Sequence, residues 1–367
     1  MEHDPPFRAE HVGSLLRPRS LKEAAKELAA GTTSPEAYAE ALDKAVAEAV
    51  ALQEDVGLGV VTDGEFGRSS WFGFFFERLE GFSIAPSQYR FRDHTGQTYE
   101  WSTCFSSGRL GRPRGIATDE FDRLRKMTSR TPKANLPSPS VLHFFRGDDC
   151  RDPAVYPDLD QWWADVVAVY RAEVADLAAH GCRYLQLDEV PVAMLCDPAV
   201  QAQVRAGGAD PEALLEGYLQ RVDELLDGRP DGMTIGMHLC RGNFRSRWMA
   251  SGGYEPVAER LFNQRGIDAF FLEYDSERAG DFSPLRHVPP DKVVVLGLVS
   301  TKTDALEDED RLRRRIDEAA RYVSLDQLAL SPQCGFASVA GGNTLDEETQ
   351  RRKLGLVVKV ASEVWAV

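Results

Sequence analysis

Eight short β-prone runs alternate with amphipathic helical runs from one end of this 367-residue chain to the other. The strand runs are FRAEHVGS (7–14), LGVVTDGE (58–65), SVLHFF (140–145) and RYLQLDE (183–189), then MTIGMHLC (233–240), DAFFLEY (268–274), KVVVLGLV (292–299) and LDQLALS (325–331). Helical stretches between them carry their own punctuation. Ser20 with Glu23 predicts a capping box before a helix that Gly31 ends. Ser34-Pro35 opens the next helix, with proline at its first position, and Gly57 closes it. Further helices are expected over 158–180, 210–227, 308–323 and 346–365. Eight strands separated by helices, without a linker, predict an α/β fold: a single (β/α)8 TIM barrel over residues 1–367. A doubly wound open sheet is the alternative, but no Gly-rich phosphate fingerprint follows any strand.

Residues 82–135 interrupt the alternation as an insertion between strands two and three. The run FSIAPSQYRFRDHTGQTYEWSTCF alternates as a hairpin around His94-Thr95-Gly96, and a short basic helix follows. Between 90 and 133 there are ten Arg/Lys against five Asp/Glu, whereas the whole chain carries −15. The segment reads either as a solvated insertion or as a flap over the barrel mouth that handles an anionic ligand. The overall acidity argues against nucleic acid and anionic membrane surfaces as partners. No apolar run reaches spanning length, and MEHDPPFRAE lacks the regions of a signal peptide. Six scattered cysteines form no disulfide framework, so a reducing cytoplasm is the expected compartment.

In a barrel of this kind the chemistry sits at the carboxyl ends of the strands. Those ends supply Gly13-Ser14, Asp63-Gly64-Glu65, Asp188-Glu189, His238, Cys240, Glu273, Ser300-Thr301-Lys302 and Cys334. Taken singly, each has an ordinary explanation: a carboxylate caps a helix, a histidine or cysteine packs in the core. Together they say more. His238 and Cys240 lie two apart on one strand and therefore share a face. Glu273 and Cys334 end two other strands, and one His, two Cys and one carboxylate make a zinc (Zn2+) ligand set. A thiol bound to such an ion loses its proton near neutral pH and becomes a strong nucleophile.

Val12-Gly13-Ser14, Asp63-Gly64-Glu65, Gln186-Leu187-Asp188-Glu189, His238-Leu239-Cys240, Phe271-Leu272-Glu273 and Pro332-Gln333-Cys334-Gly335 follow one another in a familiar order. Through nearly its whole length the chain resembles the catalytic barrel domain of cobalamin-independent methionine synthase, most closely the short, single-barrel members. The resemblance implies zinc on His238, Cys240, Glu273 and Cys334. It also implies homocysteine held at Val12, Gly13 and Ser14 by its carboxylate and at Glu65 and Asp188 by its amino group. Methyl transfer to homocysteine is the implied reaction, with methyltetrahydrofolate as the family's donor. Two departures leave the donor open: Ser300-Thr301-Lys302-Thr303 stands where the long enzymes carry a catalytic histidine, and Leu136-Pro137-Ser138-Pro139-Ser140 replaces a folate-region motif. Lys302 and Asp188 are the expected catalytic groups, Lys302 as a proton donor or anion binder. A thiol–epoxide transferase or carbon–sulfur lyase of the epoxyalkane–coenzyme M type is the alternative, and a purely structural zinc site is a third.

Overall fold

The computed structural model describes residues 5–92, 96–243 and 248–366. Its early strands are β1 (Val60–Val61), β2 (Glu80–Pro86), β3 (Phe91–Arg92), β4 (Thr98–Tyr99), β5 (Ser102–Gly111) and β6 (Thr131–Pro132). The later ones are β7 (Ala134–Pro137), β8 (Tyr184–Glu189), β9 (Thr234–Leu239), β10 (Ala269–Glu273), β11 (Val293–Val299) and β12 (Leu328–Pro332). Strands β7 to β12 form one parallel sheet in sequential order, each neighbour pair separated by helical chain. Such a sheet is covered on both faces. Phe270, Leu272, Val294 and Leu296 pack outward in the main core, whereas Tyr184, Phe271, Val295 and Ala329 form a small inner cluster.

The expected first strand, 7–14, is reduced to a single parallel bridge, Ala9 with Leu330 of β12. Strand β1 pairs in parallel with β6 on the other side, and β7 follows β6 along the same chain. Between the first segment and β1 the described residues show loop contacts in place of a ladder: Leu15 N–H donates to Gly64 O at 3.1 Å, and Thr62 Oγ1 to Gly13 O at 2.6 Å. The sheet has the parallel order of a barrel, but its ladder does not close.

Three local expectations need correction. SVLHFF is not a strand: Val141–Phe144 is a short helix, and the strand at that place is β7. Residues 141–145 are buried without alternation, and a short continuous apolar run does not distinguish a buried strand from a buried helix. The Ser20 capping box is absent, since the helix Arg19–Ala29 begins after Pro18 with Ser20 already inside it. A capping box does occur at Ser324 and Gln327, where it forms a 3-10 turn and delays β12 to Leu328. Ser34 caps its helix as expected, accepting from Ala37 N–H at 3.2 Å.

Strands β2 and β5 pair antiparallel, as do β3 and β4. The hairpin is therefore present, although residues 93–95 of its expected turn lie outside the described residues. Its cations face acidic partners: Arg90 meets Glu100 at 2.6 Å, Arg109 Asp165 at 3.2 Å, Arg112 Glu173 at 2.8 Å and Arg123 Asp43 at 2.6 Å. Three of these pairs tie the insertion to acidic residues of the body, and the Arg90 pair closes within the insertion.

Candidate active site at the carboxyl ends of the parallel strands

Period two on β9 turns His238 and, just past its end, Cys240 to the inner face. Asp188 of β8 lies directly opposite His238 in the register. The imidazole sits between two partners, Nδ1 at 3.2 Å from Asp188 Oδ1 and Nε2 at 3.3 Å from Gln333 O. Burial disfavours the imidazolium, but Asp188, Cys240 and the Gln333 carbonyl together outweigh it and the His238 pKa is raised. Cys334 arrives from the turn after β12, with its Sγ 3.6 Å from Cys240 Sγ. One ligand atom each from His238, Cys240 and Cys334 lie within 4.8 Å of one another, all three side chains buried.

Both cysteines are free, and their sulfur separation is far beyond a disulfide's roughly 2.05 Å. It suits a shared ion, because two thiolates about 2.3 Å from a tetrahedral centre stand roughly 3.8 Å apart. The hydrogen bond to Cys334 and burial push the Cys240 thiol well above its ordinary pKa. A bound dication is what reverses that penalty.

Glu273 stands apart from this trio. Its Oε1 accepts from Lys302 Nζ at 3.1 Å and from the Arg278 guanidinium, while Oε2 accepts from Arg241 N–H at 3.2 Å. Burial alone would raise its pKa, but Lys302, Arg241 and Arg278 hold it down to about 2. Lys302 also reaches Asp275 Oδ2 at 3.3 Å. Burial works against its charge, yet Glu273 and Asp275 raise its pKa above the ordinary lysine value.

Val12, Ser14, Glu65 and Asp188 join His238, Cys240 and Cys334 around one cavity of about 310 Å³. Backbone constraints shape its floor. Gly13 adopts φ +141°, and a Cβ there would fall 2.6 Å from Asn135 Nδ2. A Cβ on Gly335 would fall 2.0 Å from Ser14 Oγ, so a glycine after Cys334 is what lets the two loops meet. Glu65 is a non-glycine residue at φ +59°, a strained conformation of the kind that clusters at functional sites. Burial first, then the nearby Asp188 and Asp63, push its carboxyl up to about 7 against the pull of Arg68.

The aromatic run after Glu65 divides. Trp71, Phe72 and Phe76 line the cavity, whereas Phe74 and Phe75 are core. Sequence reasoning missed Trp101 and Phe145, brought over the cavity by the hairpin and the 141–144 helix, and Asn243, whose Nδ2 donates to Thr301 Oγ1 and Gly335 O, each at 3.2 Å. Asn243 had a faint signal, following a Gly242 at φ +89°; Trp101 had none beyond the alternation of its hairpin, and Phe145 had none in a run that is apolar throughout.

Residues 7–363 match the family model described as "Cobalamin-independent synthase, Catalytic domain". The chain is 41% identical over 362 residues to the uncharacterized protein YxjH of Bacillus subtilis (strain 168), covering 98% of this chain and 95% of that one. A 5-methyltetrahydropteroyltriglutamate–homocysteine methyltransferase of Bacillus cereus (strain AH187) is 22% identical across 89% of this chain, which spans only 39% of that enzyme. Among solved structures, a Listeria monocytogenes protein provisionally described as a vitamin-B12-independent methionine synthase superposes with a TM-score of 0.78 at 33% identity, covering 99% of both chains. A B12-independent methionine synthase from Shewanella sp. W3-18-1, in complex with selenomethionine, shares the fold with a TM-score of 0.74 at 19% identity and 98% coverage of both.

Proposed function

The chain belongs to the cobalamin-independent synthase catalytic-domain family, and from that premise we propose that it is a zinc-dependent thiol methyltransferase that converts homocysteine to methionine. One observation carries this reading: three soft metal-ligand side chains and two buried carboxylates line the same small cavity. The donor set fits zinc, with two thiols at a compatible separation and an imidazole oriented by a carboxylate. When bound, zinc supplies a lowered proton affinity to a substrate thiol, leaving it nucleophilic at neutral pH.

The chain's own residues do the rest. With its Nδ1–H donating to Asp188, His238 would be fixed in orientation and its Nε2 left to hold the ion. Glu65 and Asp188 hold the substrate ammonium; two carboxylates this close resist sharing negative charge, and an incoming cation relieves them. Ser14 and the backbone of residues 12–14 receive the substrate carboxylate. Trp71, Phe72, Phe76 and Trp101 exclude water and hold thiol and methyl donor in line, which shortens the entropic part of the barrier. Lys302 faces Glu273 and Asp275, so its influence reaches the reaction through those carboxylates. A methyltetrahydropteroylglutamate is the donor to test first, after the Bacillus cereus relative.

Among the described residues lining the cavity, the charged side chains are Glu65, Glu77 and Asp188. They suit an amino-acid thiol better than the sulfonate of coenzyme M. We read the nearly closed sheet as a (β/α)8 barrel with the 80–111 hairpin folded over its mouth. No helix among the described residues is long and apolar enough to cross a membrane, and six free cysteines suit a reducing cytoplasm. The test is methionine formation, read by mass, from homocysteine and methyl donors on zinc-loaded protein. Full turnover by metal-free protein would end the proposal.

A further inference from the structure

Behind Glu65 stands a buried charged network, and neither Arg68 nor Glu120 within it lines the cavity. Arg68 brings its Nη1 to 3.4 Å from Glu65 Oε1, beyond the ordinary hydrogen-bond range. That Nη1 is buried and makes no hydrogen bond. The rest of the guanidinium is held elsewhere. Its Nε donates to Glu120 Oε2 at 2.8 Å, its Nη2 donates to Asn135 O at 3.1 Å, and its Cζ lies 3.7 Å from the centroid of the Phe74 ring. Glu120 belongs to the helix Thr118–Arg125 of the insertion, and its Oε1 accepts from Arg78 Nη2 at 2.5 Å. The side chains of Glu65, Arg68 and Glu120 are at most 5% exposed, so their charges act on one another across protein rather than water. Burial works against the Glu120 carboxylate, but Arg68 and Arg78 hold its pKa below the ordinary value.

We infer that Glu120 is a positioning residue for the substrate ammonium: it holds Arg68 back from Glu65 and so leaves that carboxylate open to the cavity. This deepens the homocysteine methyltransferase reading and rests on it. An arginine beside a carboxylate readily closes on it with two parallel hydrogen bonds. Closed in that way, Glu65 would turn its charge and its lone pairs to the protein's own cation, and an incoming ammonium would meet Asp188 alone. Glu120 draws the guanidinium the other way, and the Asn135 carbonyl and the Phe74 ring fix where it stops. The insertion thereby acts on the site twice, through the rings it folds over the mouth and through one carboxylate buried behind Glu65. In a segment rich in cations, the residue that serves the site from behind is an acid.

The test is thiol binding by calorimetry on the zinc-loaded full chain, which needs no methyl donor. The probes are homocysteine, 3-mercaptopropylamine, which lacks its carboxylate, and 4-mercaptobutanoate, which lacks its ammonium. Glu120→Gln keeps the shape of the side chain and removes its charge. It is expected to weaken homocysteine and 3-mercaptopropylamine about tenfold, the lower end of what a hydrogen bond to a charged group contributes, and to leave 4-mercaptobutanoate unchanged or tighter. Adding Arg68→Met removes the cation that closes on Glu65 and should restore homocysteine binding, a reversal that independent packing defects, which add, do not produce. Glu120→Asp, which draws the carboxylate back from Arg68, should give the same sign with a smaller effect if Glu120→Gln folds poorly. An equal loss for all three thiols, or no loss for homocysteine, overturns the inference and leaves the methyltransferase reading standing. A wild type that binds none of the thiols overturns both.

Discussion

Two buried polar clusters occupy the inner face of the same sheet, one at each end, and only one has the form of a site. At the amino end Lys133 Nζ donates to Gln186 Oε1 at 2.9 Å and to His11 O, pairs with Glu10 at 3.5 Å, and lies over the Phe271 ring at 4.7 Å. Burial raises Glu10 and lowers Lys133, with each partner opposing the shift. At the carboxyl end Glu65, Asp188, His238, Cys240 and Cys334 are buried too, and Glu65 and Cys240 are likewise displaced from ordinary pKa values. The difference is geometric. The lower cluster closes on itself, whereas the upper one turns its polar atoms to a cavity. Burial and perturbed titration are shared by both; only convergence on open space separates a place to bind from a place to brace.

Breaking the upper cluster should remove chemistry and spare the fold. Cys334→Ala should lose the bound zinc, about one ion per chain in the wild type, and all methyl transfer, as read by metal analysis and methionine mass. The metal-free melting temperature should stay close to that of metal-free wild type.

Breaking the lower cluster should do the reverse. Lys133→Met leaves Glu10 as an uncompensated buried charge and should cost about 3–5 kcal/mol in denaturant unfolding, with zinc stoichiometry intact in the folded protein. Loss of zinc without loss of stability in Lys133→Met would dissolve the contrast.

Glu65→Gln tests the upper cluster more finely. It should raise the KM for homocysteine about 10- to 100-fold, the scale of a lost hydrogen bond to a charged group, with a smaller effect on kcat. It also carries a pH signature. Because the folded carboxyl is raised to about 7 from the ordinary 4.5, its contribution to stability is fully present below about 4.5 and fades as pH rises through about 7. Glu65→Gln should flatten the stability profile across that window. The smallest effect should come from the hairpin: Arg109→Gln removes a half-exposed pair with Asp165 and should cost less than about 1 kcal/mol, with no change in donor KM.

Much of this was legible in the sequence, for identifiable reasons. His238 and Cys240 announce a shared face because a strand has period two, and Cys334 announces itself because it follows a strand end. The parallel order of β7 to β12 follows from runs separated by capped helices. What was not legible depends on competition. SVLHFF is apolar throughout, so no period separated helix from strand, while the strand itself, Ala134–Pro137, hides behind an inward Asn135 that donates to Val12 O at 2.7 Å. Glu273 was equally fit for zinc and for an ion pair. Lys302, 29 residues on, and Arg278, five residues on, both reach it in this structure, and neither spacing advertises a pairing. The ten cations of 90–133 suggested an anion site because sequence counts charges without showing where their partners stand.

The central claim is that the His238–Cys240–Cys334 cluster holds zinc with a position open to the substrate thiol. X-ray absorption at the zinc edge tests it without reference to any methyl donor. The account expects two sulfur ligands in the resting protein and three after homocysteine is added. A sulfur count that stays at two in saturating homocysteine, or zinc retained by Cys334→Ala with an unchanged spectrum, would contradict it.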